Sequence, residues 1–398
     1  MKVFIVAGEP SGDYIGSTLI EEIKQLAPDT EFYGVGGNLM EAAGLKILFG
    51  VDQLSIIGIF EVITKIFRVG RLMSKTIDAI KEFDPDVIVT IDSSGFTHRV
   101  AKKVKKLNLH AKIVHYVAPP VWAWRKERAK KMSQFLDELM TLLPFEPPIF
   151  QEYGLKSVFV GHPVIKDMGF NHPGRAKTIK FQKLYCRDID TKKIVLLPGS
   201  RPSEIEHHLP ILQNVVQKLV DRYDKVVFFM PTIPSLKQEL EEKTKNWISR
   251  PLVFDTKIDK MIAYFCSDMA IAASGTVTIE LARVEIPSVV IYKTSFMTAM
   301  VVKSMLKTKF VCLLNILSDK LVVPELIQWN CTPKKIFEEA CKIIDNQNHE
   351  VIEQKKAFRK IVKDLSVKDP LLAAREVLKM AEESLKPEEE KSEMKVVE

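Results

Sequence analysis

The 398-residue chain has five cysteines, Cys186, Cys266, Cys312, Cys331 and Cys341, and no C-x-x-C pair among them. An odd, scattered set reads most simply as a reducing compartment with no disulfide framework. No run of about 18 apolar residues exists, so no transmembrane helix is expected. The opening apolar run, "MKVFIV", is too short for a signal peptide and suits a first strand. No H-x-x-x-H pattern occurs among the eight histidines. Two D-x-D triplets, at 84–86 and 188–190, lie before a strand and in an expected linker, so neither is placed to hold a metal. The first glycine turn, "VAGEPSGD", lacks the G-x-G-x-x-G spacing, which counts against a dinucleotide. The net charge of +7 is mild for this length. It does not call for nucleic acid and would also suit anionic membranes or phosphorylated substrates.

What is present is an alternation. Short apolar runs, among them "KVFIVAG", "EFYGVGG", "DVIVTID", "KIVHYVAP" and "ELMTLLPF", then "KIVLLPG", "KVVFFMP", "PLVFD", "DMAIAAS" and "SVVIYKT", are separated by helical stretches. That order predicts an α/β fold with parallel sheets and crossover helices. Two sets of strands predict two Rossmann-like domains facing a cleft. The expected boundaries are 1–168 for the first domain, 169–190 for a polar, basic linker and 191–365 for the second. A helix at 366–384 is a candidate to cross back to the first domain. The charged tail, 385–398, is expected to be disordered.

Three strand ends carry candidate chemistry. In "LLPGSRPSEIEHHLP", Gly199, Ser200 and Arg201 stand before a helix with Pro202 in its first turn. Free N–H groups at a helix start favour phosphate oxygens, and Arg201 could grip a phosphate with two parallel bonds. A capped turn with a solvated arginine is the competing reading. In "AASGTVTIELA", Ser274, Gly275 and Thr276 lead into a helix bearing Glu280, which could accept hydrogen bonds from a ribose or sit on the surface. In "VIVTIDSSGF", Asp92 ends a buried strand, where it could serve as a general base or as a helix cap.

Two further stretches stand out. "HYVAPPVWAWRKERAKK" sets Trp122 and Trp124 before a basic run. The rings suit sugars or acyl chains, and the same pattern suits nucleic acid or a core pair followed by a solvated helix face. Residues 54–75 pair apolar side chains, including Ile56, Ile59, Phe60, Ile63 and Phe67, with Lys65, Arg68, Arg71 and Lys75. Such a helix lies in a membrane interface or faces a core.

Taken in order, "VAGEPSGD", "GVGG", "IIGIFEV", "PDVIVTID", "HYVAPPVWAWR", "LLPFE", "VGHP", "LLPGSR" and "ASGTVTIELA" resemble the lipid-A-disaccharide synthase family of bacterial glycosyltransferases. The resemblance implies a GT-B architecture and an inverting transfer that uses no metal or other cofactor. It implies UDP-2,3-diacylglucosamine as donor and 2,3-diacylglucosamine 1-phosphate, lipid X, as acceptor. The products would be a β-1,6-linked disaccharide phosphate and UDP, made at the cytoplasmic face of the inner membrane. The membrane surface would be a partner, nucleic acid would not, and a homodimer stays open. Asp92 would take the proton of the acceptor's 6-hydroxyl, and Arg201 would balance the departing diphosphate. Glu9, Glu280 and Asn315 match functional positions. Ser11, Gly12, Asp13, Trp122 and Trp124 would line the acceptor side, with Asp13 as helix cap the alternative. The apolar residues of 54–75 would meet acyl chains.

The chain departs from the family in two places. Where an "IDAPDF"-like run often carries a second acid, this chain has "IDSSGF", with Gly95 at that position. Where "LPNLL" is frequent, it has "LLNIL", keeping Asn315 without the proline. Three rivals remain at this stage. One is another GT-B UDP-sugar enzyme, either a peptidoglycan-precursor transferase or an epimerase. The others are a non-catalytic nucleotide-sugar or lipid binder and a nucleic-acid binder.

Overall fold

In the first forty residues an apolar strand, a turn, a helix and a second apolar strand succeed one another, and the rest of the chain repeats that unit. The computed structural model describes residues 1–54, 62–124, 127–167, 172–186, 188, 190–296, 299–300, 308–345 and 349–385. It divides into two units, Met1–Pro163 with Val367–Glu398, and Val164–Ser366.

The first unit holds a seven-stranded sheet. Its strands are β1 (Lys2–Ala7), β2 (Glu31–Gly36), β3 (Lys46–Gly50), β4 (Val87–Ile91), β5 (Lys112–Tyr116), β6 (Glu138–Thr141) and β7 (Ser157–Phe159). The order is β3-β2-β1-β4-β5-β6-β7, and the pairings are parallel. Val3 to Ala7 and Val87 to Ile91 are buried throughout, because helices cover both faces. The helix Pro10–Leu26 packs closely there. A Cβ on Gly12 would sit 3.3 Å from the Ala7 Cβ, so this glycine serves helix–sheet contact. The helix Leu372–Leu385 returns to the same face, burying Ala373, Ala374, Val377, Met380 and Ala381 among Ile15, Leu19, Val87 and Val89.

The second unit holds a six-stranded sheet of order β10-β9-β8-β11-β12-β13. Its strands are β8 (Lys192–Leu197), β9 (Val226–Pro231), β10 (Leu252–Phe254), β11 (Met269–Ala273), β12 (Ser288–Tyr292) and β13 (Glu325–Ile327), again paired in parallel. In both sheets the strand order reverses beside the first strand, between β1 and β4 and between β8 and β11. Loops leave in opposite directions at such a point and open a crevice beyond the strand ends.

Several expectations need correction. The units meet at Pro163 and Val164, not after 168. The stretch taken as a linker, 169–190, contains the helix Arg175–Tyr185. Its Phe181 is buried against Phe229 and Phe254 of the second unit. That helix carries too few large apolar residues to stand out in sequence. Ile56, Ile59 and Phe60 lie outside the described residues, as do the side chains of Ile63 and Phe67. The tail beyond Leu385 lies outside them too. Among the described residues no helix is long and apolar enough to cross a membrane.

Candidate functional site

The switch point of the first unit lies where β1 and β4 end side by side, with Ala7 paired to Ile91. Asp92 and Ser93 follow, with φ of 50° and 42°. Two adjacent non-glycine residues in the left-handed region cost about 1–3 kcal/mol each. The Asp92 amide donates to the Tyr116 carbonyl, and the Thr97 hydroxyl donates to the Asp92 carbonyl at 2.6 Å, so neighbouring elements hold this turn. The Asp92 carboxylate accepts from the Ser93 amide at 2.7 Å and from the Ser11 hydroxyl at 3.3 Å. Glu9, at the N-cap of the helix Pro10–Leu26, and Ser11 in its first turn are exposed, while Asp92 is half-buried. The two loops touch closely, since a Cβ on Gly8 would strike Ser93. Gly95 is exposed, and a Cβ there would meet nothing within 4 Å.

The other acceptor-side candidates are committed elsewhere. Asp13 is buried, and its carboxylate accepts from the amides of Gly37 (2.7 Å), Leu39 (3.1 Å) and Met40 (3.0 Å). It caps the short helix Asn38–Ala43 rather than its own, and so ties "GEPSGD" to "GVGG". The Trp122 indole donates to Glu146 Oε1 at 3.1 Å, and its ring meets Phe145 edge-on at 5.4 Å. Glu146 also accepts from the Leu143 amide, and burial pushes its carboxyl up to about 7. The "WAW" and "LLPFE" motifs are thus one structure. Trp124 ends the helix Val121–Trp124, and its side chain lies outside the described residues. Beneath Asp92, Thr90 Oγ1 lies 2.8 Å from His115 Nδ1, and His115 Nε2 lies 3.2 Å from His98 Nε2. Burial holds His98 down to about 4 and His115 well below its usual value.

The second unit's crevice is a pocket of about 340 Å³ over the ends of β8, β9 and β11. Gly199, Ser200, Arg201, Ser274, Gly275, Thr276 and Glu280 all line it, so sequence stretches more than seventy residues apart converge. A Cβ on Gly275 would meet open space, so the chain itself does not require glycine there. The expected free amides before Pro202 are not free. Glu204 Oε2 accepts from Ser200 N at 3.1 Å and from Arg201 N at 3.3 Å, while Oε1 takes the Arg201 guanidinium at 3.1 Å. Gly199, with φ 119°, leaves the space that this carboxylate fills. Glu three residues after the cap is the visible signal for that arrangement. The Arg201 side chain stays 72% exposed and able to turn to another anion.

Glu280 is met by two residues that the sequence did not mark. Lys260 Nζ stands 3.0 and 3.2 Å from its oxygens, and the Tyr264 hydroxyl donates to Oε2 at 3.1 Å. Both project from the helix Lys257–Cys266, four residues apart and thus on one face. Asn315 is not in the pocket. It is fully buried, donates to Val323 O and Glu325 Oε1, and accepts from the amides of Val322 and Val323. Its amide is spent on the turn before β13. Buried His208 lies 2.6 Å from the Pro198 carbonyl and accepts from Lys293 N at 2.9 Å, which joins the loops after β8 and β12. Among the described residues no three metal-ligating side chains cluster.

Two parallel α/β sheets with loops gathered at their switch points define a GT-B architecture of two Rossmann-like units. Solved structures share it. UDP-GlcNAc 2-epimerase from Neisseria meningitidis bound to UDP-GlcNAc superposes with a TM-score of 0.58 at 11% identity, covering 96% of this chain and 99% of that one. A glycosyltransferase from Rickettsia africae gives 0.55 at 16%, covering 97% and 98%. A family profile described as lipid-A-disaccharide synthetase matches residues 3–377. The lipid-A-disaccharide synthase of Ruegeria pomeroyi is 37% identical over 344 residues, 84% of each chain. That of Rickettsia bellii is 36% identical over 374 residues, 92% of this chain and 94% of its own. The chain belongs to the lipid-A-disaccharide synthetase family and is a glycosyltransferase of lipid A synthesis.

Proposed function

We infer that the second unit's pocket holds the UDP of a UDP-2,3-diacylglucosamine donor, and that Asp92 activates lipid X on the first unit. The observation that carries this reading is the convergence of the "LLPGSR" and "ASGTVTIELA" loops on one pocket at a switch point. Arg201 leaves Glu204 for the diphosphate, at little cost because Glu204 keeps its two backbone donors. Glu280 receives ribose hydroxyls. The Asp92 carboxylate takes the proton of the acceptor 6-hydroxyl as that oxygen attacks the anomeric carbon. The bond from that carbon to the diphosphate breaks, UDP leaves with the electron pair, and the configuration inverts. Arg201 offsets the charge that develops on the leaving group. Ser11 and Ser93 orient the base, and with Gly95 in place of a second acid Asp92 acts alone.

Both substrates are acylated, so the enzyme works at a membrane surface, the cytoplasmic face of the inner membrane. The test is UDP release on mixing the donor with lipid X, in wild type and Asp92→Asn. Release in the wild type, lost in the variant, supports the reading. Turnover with a different acceptor and none with lipid X overturns it.

A further inference from the structure

Among the described residues the pocket carries four charged side chains, and they pair off. Arg201 bonds Glu204, and Lys260 bonds Glu280. The two pairs differ. Glu204 is anchored by backbone amides, whereas the Glu280 carboxylate is held by the side chains of Lys260 and Tyr264. Lys260 is about one-quarter exposed and Tyr264 is buried. A bare carboxylate in this pocket would repel a diphosphate and could turn away from a sugar.

We propose that Lys260 and Tyr264 are positioning residues that fix Glu280 as the acceptor for a ribose 2′,3′-diol, so that the pocket selects ribonucleoside over dideoxyribonucleoside diphosphates. This rests on the nucleotide reading above. The hydrogen-bond pattern supports it. Tyr264 and Lys260 both meet Oε2, while Oε1 takes Lys260 alone and keeps acceptor capacity for a ligand. Lys260 also cancels the charge of Glu280. Glu280 can then face a ribose beside a diphosphate, with Arg201 left for the phosphates.

A competing role for Lys260 is direct contact with phosphate, and double-mutant coupling separates the two. Titration calorimetry would measure UDP and 2′,3′-dideoxy-UDP against wild type, Lys260→Met, Glu280→Gln and the double variant. Wild type should prefer UDP by about 10–100-fold, the range for a hydrogen bond to a charged group. Glu280→Gln should reduce that preference to within about 3-fold, since a neutral amide is a weaker acceptor. Lys260→Met should weaken UDP about 10-fold or more alone, yet less than about 3-fold when Glu280 is already Gln. Lys260→Arg should restore most of the preference. Tyr264→Phe, which leaves the charges alone, should lower the preference with dideoxy-UDP affinity unchanged. Equal loss from Lys260→Met in both backgrounds makes it a phosphate ligand and overturns the proposal. Equal wild-type affinity for the two nucleotides overturns it while leaving the UDP site standing. A wild type that binds no UDP removes the nucleotide reading itself.

Discussion

Asp92 sits in a backbone conformation that a non-glycine residue adopts only when neighbours enforce it. Backbone bonds hold the turn, and the Ser93 amide and Ser11 hydroxyl hold the carboxylate. Asp92→Asn should lower kcat by about 10²–10⁴-fold, the usual worth of a general base, with UDP affinity unchanged because the pocket lies on the other unit. Steady-state UDP release and calorimetry check the two halves. Asn315 makes the opposite case. Asn315→Ala leaves buried amides and a carbonyl without partners and should cost about 2–4 kcal/mol of stability. Thermal unfolding reads this, and nucleotide affinity should fall only as far as the pocket rim loosens. Motif spacing made Asp92, Arg201 and Glu280 legible as candidates, since Asp92 and Arg201 sit just past the ends of apolar strands and Glu280 in the first turn of the helix that follows one. It could not tell that Asn315 and Asp13, expected at the nucleotide and on the acceptor side or as a cap, spend their side chains on backbone groups. Lys260 and Tyr264 lay within an ordinary amphipathic helix with no turn or glycine to mark them.

Among elements, the central strands were visible in the sequence and three edge strands were not. These are β3, β7 and β13. β7 and β13 have three residues each, all three of these strands are partly exposed, and each lies at a sheet margin, where one neighbour suffices and a continuous apolar run is unnecessary. The helix Arg175–Tyr185 was missed for a related reason, having Phe181 as its one buried residue. Loops are held by side chains reaching across from other elements. Asp13→Ala would release three amides at the start of the helix Asn38–Ala43 and should cost about 1–3 kcal/mol, seen as a lower unfolding midpoint. Gly199→Ala combines a strained φ with a clash against Glu204. It should weaken UDP binding as well as stability, by about 1–3 kcal/mol in the latter. A UDP affinity unchanged in that variant would count against the placement of the diphosphate.

Across the whole molecule, buried titrating groups pull stability in opposite directions with pH. His98 and His162 are held down to about 4 and His115 and His208 are also lowered, all chiefly by burial. The unfolded chain therefore binds more protons once the pH falls below about 6.5, and stability declines toward 4. Glu146 is raised to about 7, so the folded chain holds its proton between the ordinary carboxyl range and 7. That contribution is full in acid and is lost as the pH rises through this window. Unfolding midpoints from pH 4 to 8 should thus fall steeply on the acid side, and His98→Phe should flatten that limb.

The helix Leu372–Leu385 completes a core that otherwise consists of residues from the first 163. Synthesis runs from one end, so the ribosome makes the whole second unit before this last piece exists. At about 5–20 residues per second, the roughly 200 intervening residues impose a wait of about 10–40 seconds. During that time the first unit presents an apolar groove where Ala374, Val377 and Ala381 will later lie. The half that carries Asp92 is therefore finished last, and a chain released early would carry a complete second unit and a first unit whose groove is unsealed and prone to capture by chaperones.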